Sequence, residues 1–597
     1  MIPFILTLFL PLIGSIIILF LNKDNQKLIK YFTLITSIIT FLISLILFFQ
    51  FDTNNPNIQF YINQIWIKSI DAGFRIGMDG MSMLLVILTT FITPIAIISS
   101  FDAIHQREKE YYFMILLLQF AMTGVFVAMD IFLFYIFWEL ILIPMYFIIG
   151  IWGGKNKLYA TVKFFLFTIV GSLFMLVGVI WLANYVGNSI LGTGFTTDFT
   201  KIRDVASKIP FDNQVWLFWA FAISFFIKVP LFPLHTWLPD AHTEAPTPGS
   251  VILAAILLKM GTYGLIRFNL ELFTQASINF APLISWFAVI GIIYGALVAA
   301  VQVDIKRLVA YSSVSHLGFV VLGIFSMTAL GIQGAIIQMV NHGLSTGMLF
   351  LLVGIIYERR HTREIADYGG IARIMPVYAT FFAIAMFSSV GLPGLNGFVG
   401  EYMTLIGAFT SPILNNWTLS IVAALGVIFA AVYLLWMYQR VFFGTNDNPA
   451  NHHLTDLTKR EWTMLVPLVI FIVWIGVYPS TFTNYSENST RKLINKIEKQ
   501  KFNRVPFPEI ETMQTDTLNI QLVTYVFSTY MLPILVASIF AVLIPLLDVW
   551  SKKNKQIVFY ATLFNFLLVI ASSTNLLMNY ANIKEFYLYL GGYTSLF

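Results

Sequence analysis

Apolar residues run through this chain in blocks of roughly twenty, separated by short polar stretches, and that rhythm predicts membrane-crossing helices. Sixteen spans are predicted, near 3–22, 29–50, 79–101, 111–129, 131–151, 160–186, 214–237, 248–270, 281–302, 307–326, 330–357, 375–411, 417–439, 462–480, 523–548 and 556–580. Two depart from the rule. Residues 375–411 are too many for one crossing at about 1.5 Å per residue, and Gly391, Pro393, Gly394 and Gly397 interrupt them. Residues 214–237 carry Pro230 and Pro233 just after Lys228. Both are predicted to be broken helices. The long polar stretch 481–522 is expected to be a surface linker with a short amphipathic helix. The opening, MIPFILTLFLPLIGS, has no basic n-region and no small-residue cleavage site, so it is expected to be a retained first helix and not a signal peptide.

Composition decides between a membrane domain and several soluble ones. Charged residues make up 11% of the chain and hydrophobic residues 58%, against about 25% charged in a soluble globular domain. The charges are also unevenly placed. Loops after odd-numbered spans up to the fourteenth, with their adjoining span ends, hold seventeen Lys and Arg, and loops after even-numbered spans hold six. The positive-inside rule then puts the odd loops in the cytoplasm and the N-terminus outside. The net charge of +5 resides mainly in these loops and gives no reason to expect nucleic-acid binding. With no cysteine, the chain can form no disulfide, no thiolate nucleophile, no Cys-ligated iron–sulfur cluster and no Cys-type zinc site.

Six ionisable residues fall inside spans: Glu139, Lys228, Lys259, His316, His342 and Glu401. A charge at the bilayer centre costs about 2.5–3.5 kcal/mol on insertion scales, so each needs a partner or a task. Buried lysine and glutamate can be tuned to exchange protons near neutral pH, and histidine titrates there unaided. A row of such groups is suited to carrying protons. Lys228 immediately precedes one helix break and Glu401 follows the other, as in transporters that place ion sites at interrupted helices. The breaks lie five spans apart, which predicts two five-helix repeats, spans 4–8 and 9–13, inverted in the membrane.

Five segments carry a family resemblance: FWELILIPMYFIIGIWGG (137–154), IKVPLFPLHTWLPDAHTEAPTPGSVILAAILLKMGTYGLIRF (227–268), DIKRLVAYSSVSHLGF (304–319), QMVNHGLSTGMLFLLVGIIYER (338–359) and GLPGLNGFVGEY (391–402). Over residues 1–480 the chain resembles the antiporter-like subunits of respiratory complex I. The resemblance matches Glu139 to the family's fifth-helix glutamate, Lys228 to its partner lysine in the broken seventh helix and Lys259 to the central lysine. It matches His316 and His342 to the histidines of the connecting path and Glu401 to the terminal acid of the broken twelfth helix. Related L and N types typically carry lysine at that last position, so Glu401 favours the M type. The implied function is proton translocation in the membrane arm of an NADH–quinone oxidoreductase. A subunit of a multi-subunit cation/proton antiporter is the alternative.

The expected fold is an all-α polytopic membrane protein with about fourteen core helices, breaks in helices 7 and 12 at Pro230, Pro233, Gly391, Pro393 and Gly394, and about two further C-terminal helices. The expected divisions are a three-helix segment at 1–110, repeats at 111–270 and 281–440, helix 14 within 441–480, the linker 481–522 and a two-helix extension at 523–597. No cofactor or metal is expected on this chain. NADH, flavin, iron–sulfur clusters and quinone are implied for other subunits. The implied partners are other membrane-arm subunits, especially neighbouring antiporter-like ones, and lipid, in a bacterial inner membrane. His235 and His242 are expected to hydrogen-bond near helix ends, and His452 and His453 to be solvated.

Overall fold

In the computed structural model, which describes residues 1–445 and 448–502, twelve helices are long and apolar enough to cross a membrane. The seventh and twelfth passages are the two broken ones. Helix Phe211–Lys228 ends at Lys228, and the chain turns before the short helix Trp237–Glu244. Pro230 and Pro233 lie in that turn and offer no N–H to continue a helix. Helix Pro376–Val390 ends at Gly391, whose φ of 83° suits glycine, and the chain resumes as Asn396–Phe409. With these two, the described residues make the expected fourteen passages. The expected spans near 523–548 and 556–580, and most of the stretch before them, lie outside the described residues.

Many helix starts are set by polar caps that satisfy otherwise orphaned N–H groups. Asp79 accepts from Met81 and Ser82, Asp130 from Phe132 and Leu133, and Asp304 from Lys306 and Arg307. Two interruptions were not expected. The fifth passage divides into Ile131–Leu140 and Leu142–Trp152, meeting at Ile141. Pro144 explains the division, because it cannot donate to the carbonyl of Leu140 four residues back. The eighth passage, Thr247–Leu270, widens twice into π-helix, at Leu253–Leu257 and Leu265–Leu270, on either side of Lys259. Such π segments often mark functional positions in helices.

The fold is not purely helical. Strands β1 (Gln59–Ile67) and β2 (Ala72–Met78) form an antiparallel hairpin between the second and third passages. Its root is clamped by Arg75, which is 1% exposed. The guanidinium meets Asp71 Oδ1 at 2.6 Å, Asp130 Oδ2 at 2.7 Å and Asp198 Oδ2 at 3.2 Å. Thr196 and Lys201 donate to Asp71 Oδ2 at 2.7 and 2.9 Å. Burial pushes the Asp71 carboxyl up, but these hydrogen bonds outweigh it and hold the group below its ordinary range.

The described part of the expected linker is a 23-residue helix, Ser480–Phe502, packed across the same end of the bundle as the hairpin. Tyr485 stacks on Phe48 with centroids 4.2 Å apart, and Ser489 Oγ accepts from Gly80 N at 3.1 Å. Lys496 Nζ donates to the carbonyls of Glu271 and Arg203 at 2.6 and 3.2 Å. At the opposite end, loop charges pair across helices: Lys30 with Glu108, Arg359 with Glu461, Arg363 with Asp304 and Arg460 with Asp102.

Candidate functional site

The eighth, tenth, eleventh and twelfth passages bring four of the six predicted residues into one buried row. Lys259, fully buried between the two π segments, sets its Nζ 2.6 Å from His342 Nδ1. The same nitrogen donates to the carbonyl of Ala254. His342 lies on helix Ala329–Arg360, and its ring centroid is 6.0 Å from that of His316 on helix Ile305–Phe325. His316 Nδ1 is 2.8 Å from Glu401 Oε1 on Asn396–Phe409. The order in space is therefore Lys259, His342, His316, Glu401, and none of the four exceeds 3% exposure. His342 Nε2 has no protein hydrogen-bond partner.

Lys228 and Glu139 stand apart from this row. No ion pair joins them, although each feels the other's charge. Lys228 Nζ has no hydrogen-bond partner and lies 5.1 Å from the Trp138 ring centroid and 5.9 Å from that of Phe164, a cation–π setting. Glu139 Oε1 is likewise unpartnered. The two groups are not paired with each other in this structure. Glu139 sits two residues before the hinge at Ile141, and Lys228 is the last residue of its helix. Both groups thus occupy the ends of interrupted helices, where backbone rearrangement moves a side chain without unwinding a continuous helix.

The two broken helices use their breaks differently. At the first, Trp237 Nε1 donates to the carbonyl of Ile227 at 2.8 Å, so the short helix caps the end of the one before it. At the second, the chain closes tightly on itself. A Cβ at Gly397 would lie 1.9 Å from the carbonyl oxygen of Ser388, so only glycine allows that approach.

Sequence reasoning did not single out three polar groups of the row. Tyr433 Oη lies 3.4 Å from His316 Nε2, opposite Glu401. Gln338 Nε2 donates to Glu401 Oε1 at 3.3 Å. Asn341 Nδ2 donates to the carbonyl of Asn396 at 2.7 Å. Gln338, Asn341, His342 and Ser345 follow the i, i+3, i+4, i+7 spacing of one helix face, which was the available signal for the first two. A lone tyrosine on an apolar span gave none.

The other histidines need one correction. His242 makes no hydrogen bond through either ring nitrogen. It is fully buried and stacks on Phe350 with centroids 4.5 Å apart, so aromatic packing holds it where hydrogen bonding was expected. His235 is buried against Phe232 and Tyr294, and its Nδ1 is unpartnered. His452 and His453 are exposed. A cleft of about 690 Å³ opens at the end opposite the hairpin, reaching Glu244, Lys306 and Glu358.

Known proteins share this sequence and architecture. A family described as NADH:quinone oxidoreductase/Mrp antiporter, TM, matches residues 128–429, and NADH-ubiquinone oxidoreductase chain 4, amino terminus, matches residues 5–125. The NADH-quinone oxidoreductase subunit M of Rickettsia prowazekii is 44% identical over 494 residues, which are 82% of this chain and 98% of the relative. A chain of respiratory complex I from Thermus thermophilus with bound NADH superposes with a TM-score of 0.72 at 30% identity, covering 83% of this chain and 99% of its own. A chain of the Mrp complex from Dietzia sp. DQ12-45-1b has the same fold at 17% identity, with a TM-score of 0.72 over 84% of this chain and 99% of its own. A buried lysine–histidine–histidine–glutamate row, two helices broken beside charged groups and these matches lead to one conclusion: the chain belongs to the NADH:quinone oxidoreductase/Mrp antiporter transmembrane family, among its subunit M and chain 4 members.

Proposed function

We infer that this chain is a proton-translocating membrane-arm subunit of an NADH–quinone oxidoreductase, and that Glu139, Lys228, Lys259, His342, His316 and Glu401 carry the protons. The observation that carries the reading is the contiguous buried row from Lys259 to Glu401. A structural role alone would not need a lysine and two histidines lined up beneath a carboxylate, each costly to bury. In this reading protons enter from the cytoplasmic side, at the end bearing the basic loops, and reach Lys228. They then pass to Lys259, cross the histidine pair and leave near Glu401 to the outside. The gap between Lys228 and Glu139 gates the path. A closed pair holds the lysine charged, and an open pair lets it release its proton. Charge movement in a neighbouring membrane-arm subunit, driven by quinone reduction elsewhere, supplies the bias.

The chain acts as a non-redox part of the enzyme. NADH, flavin, iron–sulfur clusters and quinone belong to other subunits, and the absence of cysteine removes thiolate ligands for a cluster. It resides in a bacterial inner membrane with its N-terminus outside, as the distribution of basic loops supports. The two breaks, five passages apart, support inverted repeats at 111–270 and 281–440.

NADH-driven acidification of inverted membrane vesicles tests the reading, with wild type compared with Lys228→Ala and Glu401→Gln at equal assembled complex. Loss of acidification is expected for both. Unchanged acidification, with loss of sodium-dependent proton exchange instead, would move the chain to the cation/proton antiporter branch.

A further inference from the structure

Glu401 is held by more than its histidine. Its Oε1 receives Gln338 Nε2 at 3.3 Å and faces His316 Nδ1 at 2.8 Å, so one carboxylate oxygen is shared between a proton-carrying ring and a fixed amide. The amide is itself anchored. Gln338 Oε1 accepts from Asn341 Nδ2 at 3.4 Å, and the same Nδ2 donates to the Asn396 carbonyl at 2.7 Å. Asn396 Nδ2 returns a bond to the Asn341 carbonyl at 3.3 Å, and Ser388 Oγ donates to Asn396 Oδ1. Ser388 and Asn396 stand on either side of the second helix break. Gln338, Asn341 and Asn396 are each buried to within 3%.

We propose that Gln338 is a positioning residue for the Glu401 carboxylate, and that the Asn341–Asn396 amide pair ties this alignment to the closed state of the break between Val390 and Asn396. The argument is geometric. A carboxyl group on a free rotamer presents either oxygen to the histidine. An amide donor on the same oxygen, from the helix that also carries His342, fixes which oxygen faces His316. It also sets the distance over which the proton moves. Proton transfer is steep in donor–acceptor alignment, so the amide governs rate while standing outside the transfer itself. Because Asn341 holds the backbone at the start of Asn396–Phe409, any opening of the break pulls Glu401 away from the amide and the ring together. The side chains that meet the Glu401 carboxylate are His316 from the tenth passage and Gln338 from the eleventh, with Tyr433 of the thirteenth on the far nitrogen of the His316 ring and His342 beside that ring. None of them is a fixed cation that could align the carboxylate in place of the amide.

This inference rests on the proton-carrying role of Glu401, so the experiment separates the two. Assembled complex in inverted vesicles is compared for wild type, Gln338→Met, Asn341→Leu, Thr346→Val and Glu401→Gln. Gln338→Met keeps side-chain length and removes the amide. Thr346 is buried on the same helix with no hydrogen-bond partner, and serves as the packing control. The readouts are NADH-driven acidification per NADH oxidised and the solvent deuterium isotope effect on coupled turnover. Gln338→Met is expected to slow pumping about threefold to tenfold and to raise the isotope effect, as a misaligned proton step becomes rate-limiting. Asn341→Leu is expected to do the same in smaller measure, and Thr346→Val to match wild type. A Gln338→Met complex that pumps like wild type with an unchanged isotope effect overturns the inference. So does an equal loss in Thr346→Val, which would mark the effect as packing. If Gln338→Met does not assemble, Asn341→Leu decides by the same readouts. Glu401→Gln pumping normally would instead overturn the role of Glu401 itself.

Discussion

Lys259 and His342 are in direct contact, Nζ to Nδ1 at 2.6 Å, across two helices whose sequence positions differ by 83. The lysine's other hydrogen-bond partner is a backbone carbonyl, that of Ala254 on its own helix. The lysine and histidine therefore form a single hydrogen-bonded unit, and under the proposed function either group would hold the proton for the next transfer.

That unit predicts non-additive losses. Lys259→Ala and His342→Ala should each reduce NADH-driven acidification at least about tenfold, and the double variant should lose little more, because residues that act together are not additive. Quenched pH-dye measurements on inverted vesicles, normalised to assembled complex, test this. A double variant whose loss equals the product of the two single losses would show two independent roles.

The separation of Glu139 and Lys228 predicts a specific intolerance to arginine. Under the proposed function Lys228 alternates between charged and neutral, and a guanidinium does not release its proton in proteins. Lys228→Arg keeps the charge and the cation–π contact with Trp138, yet it should lose acidification as fully as Lys228→Ala, by about tenfold or more. Pumping retained in the arginine variant would mean that the site needs a positive charge and not a titrating one.

Much of this was legible from sequence, for identifiable reasons. Burial in lipid makes apolar blocks unmistakable, so the passages could be counted. Lys228 before Pro230, and Gly391 before Pro393, marked their breaks because proline and glycine act locally. The six ionisable residues stood out because their surroundings offered no cheap reason for charge. What escaped depended on contacts between distant positions or on short elements. Tyr433 matters through a histidine 117 residues away. The hinge after Glu139 hid in a run that reads as one apolar helix, with Pro144 as its sole mark. The nine-residue strand β1 is too short for a window tuned to twenty-residue spans. Within the expected linker 481–522 an amphipathic helix was legible from its polar face, but the length of Ser480–Phe502 and its seat on Phe48 and Gly80 were not.

The hairpin root predicts acid sensitivity of a defined sign. Hydrogen bonds hold Asp71 below its ordinary range. Its contribution to the fold is therefore complete above the unfolded carboxyl value of about 3.9 and is lost as pH falls through the lower folded value. Amide exchange of residues 72–78 should be well protected at neutral pH and should open below about pH 4 in wild type. In Asp71→Asn that protection should be weaker already at neutral pH and should change less on acidification. An equal acid transition in both proteins would show that Asp71 is not its source.

Gly397 offers the sharpest test of the second break. A methyl group there meets the Ser388 carbonyl oxygen at 1.9 Å, and that atom belongs to backbone and cannot rotate away. Gly397→Ala must therefore push Pro376–Val390 and Asn396–Phe409 apart, at a cost of about 1–3 kcal/mol for an overpacked site. Moving Asn396 also stretches the bonds it makes with Asn341 and Ser388, and through them the approach of Glu401 to His316. The expected result is a complex that assembles in reduced amount and pumps fewer protons per NADH in the fraction that does assemble. Gly394, whose φ is 92° but whose added methyl would meet nothing within 4 Å, is the contrasting position. Gly394→Ala should strain the local backbone and lower stability, yet leave the proton yield per NADH near wild type. If the two substitutions lower that yield equally, the close approach at Gly397 is not what holds Glu401 in line.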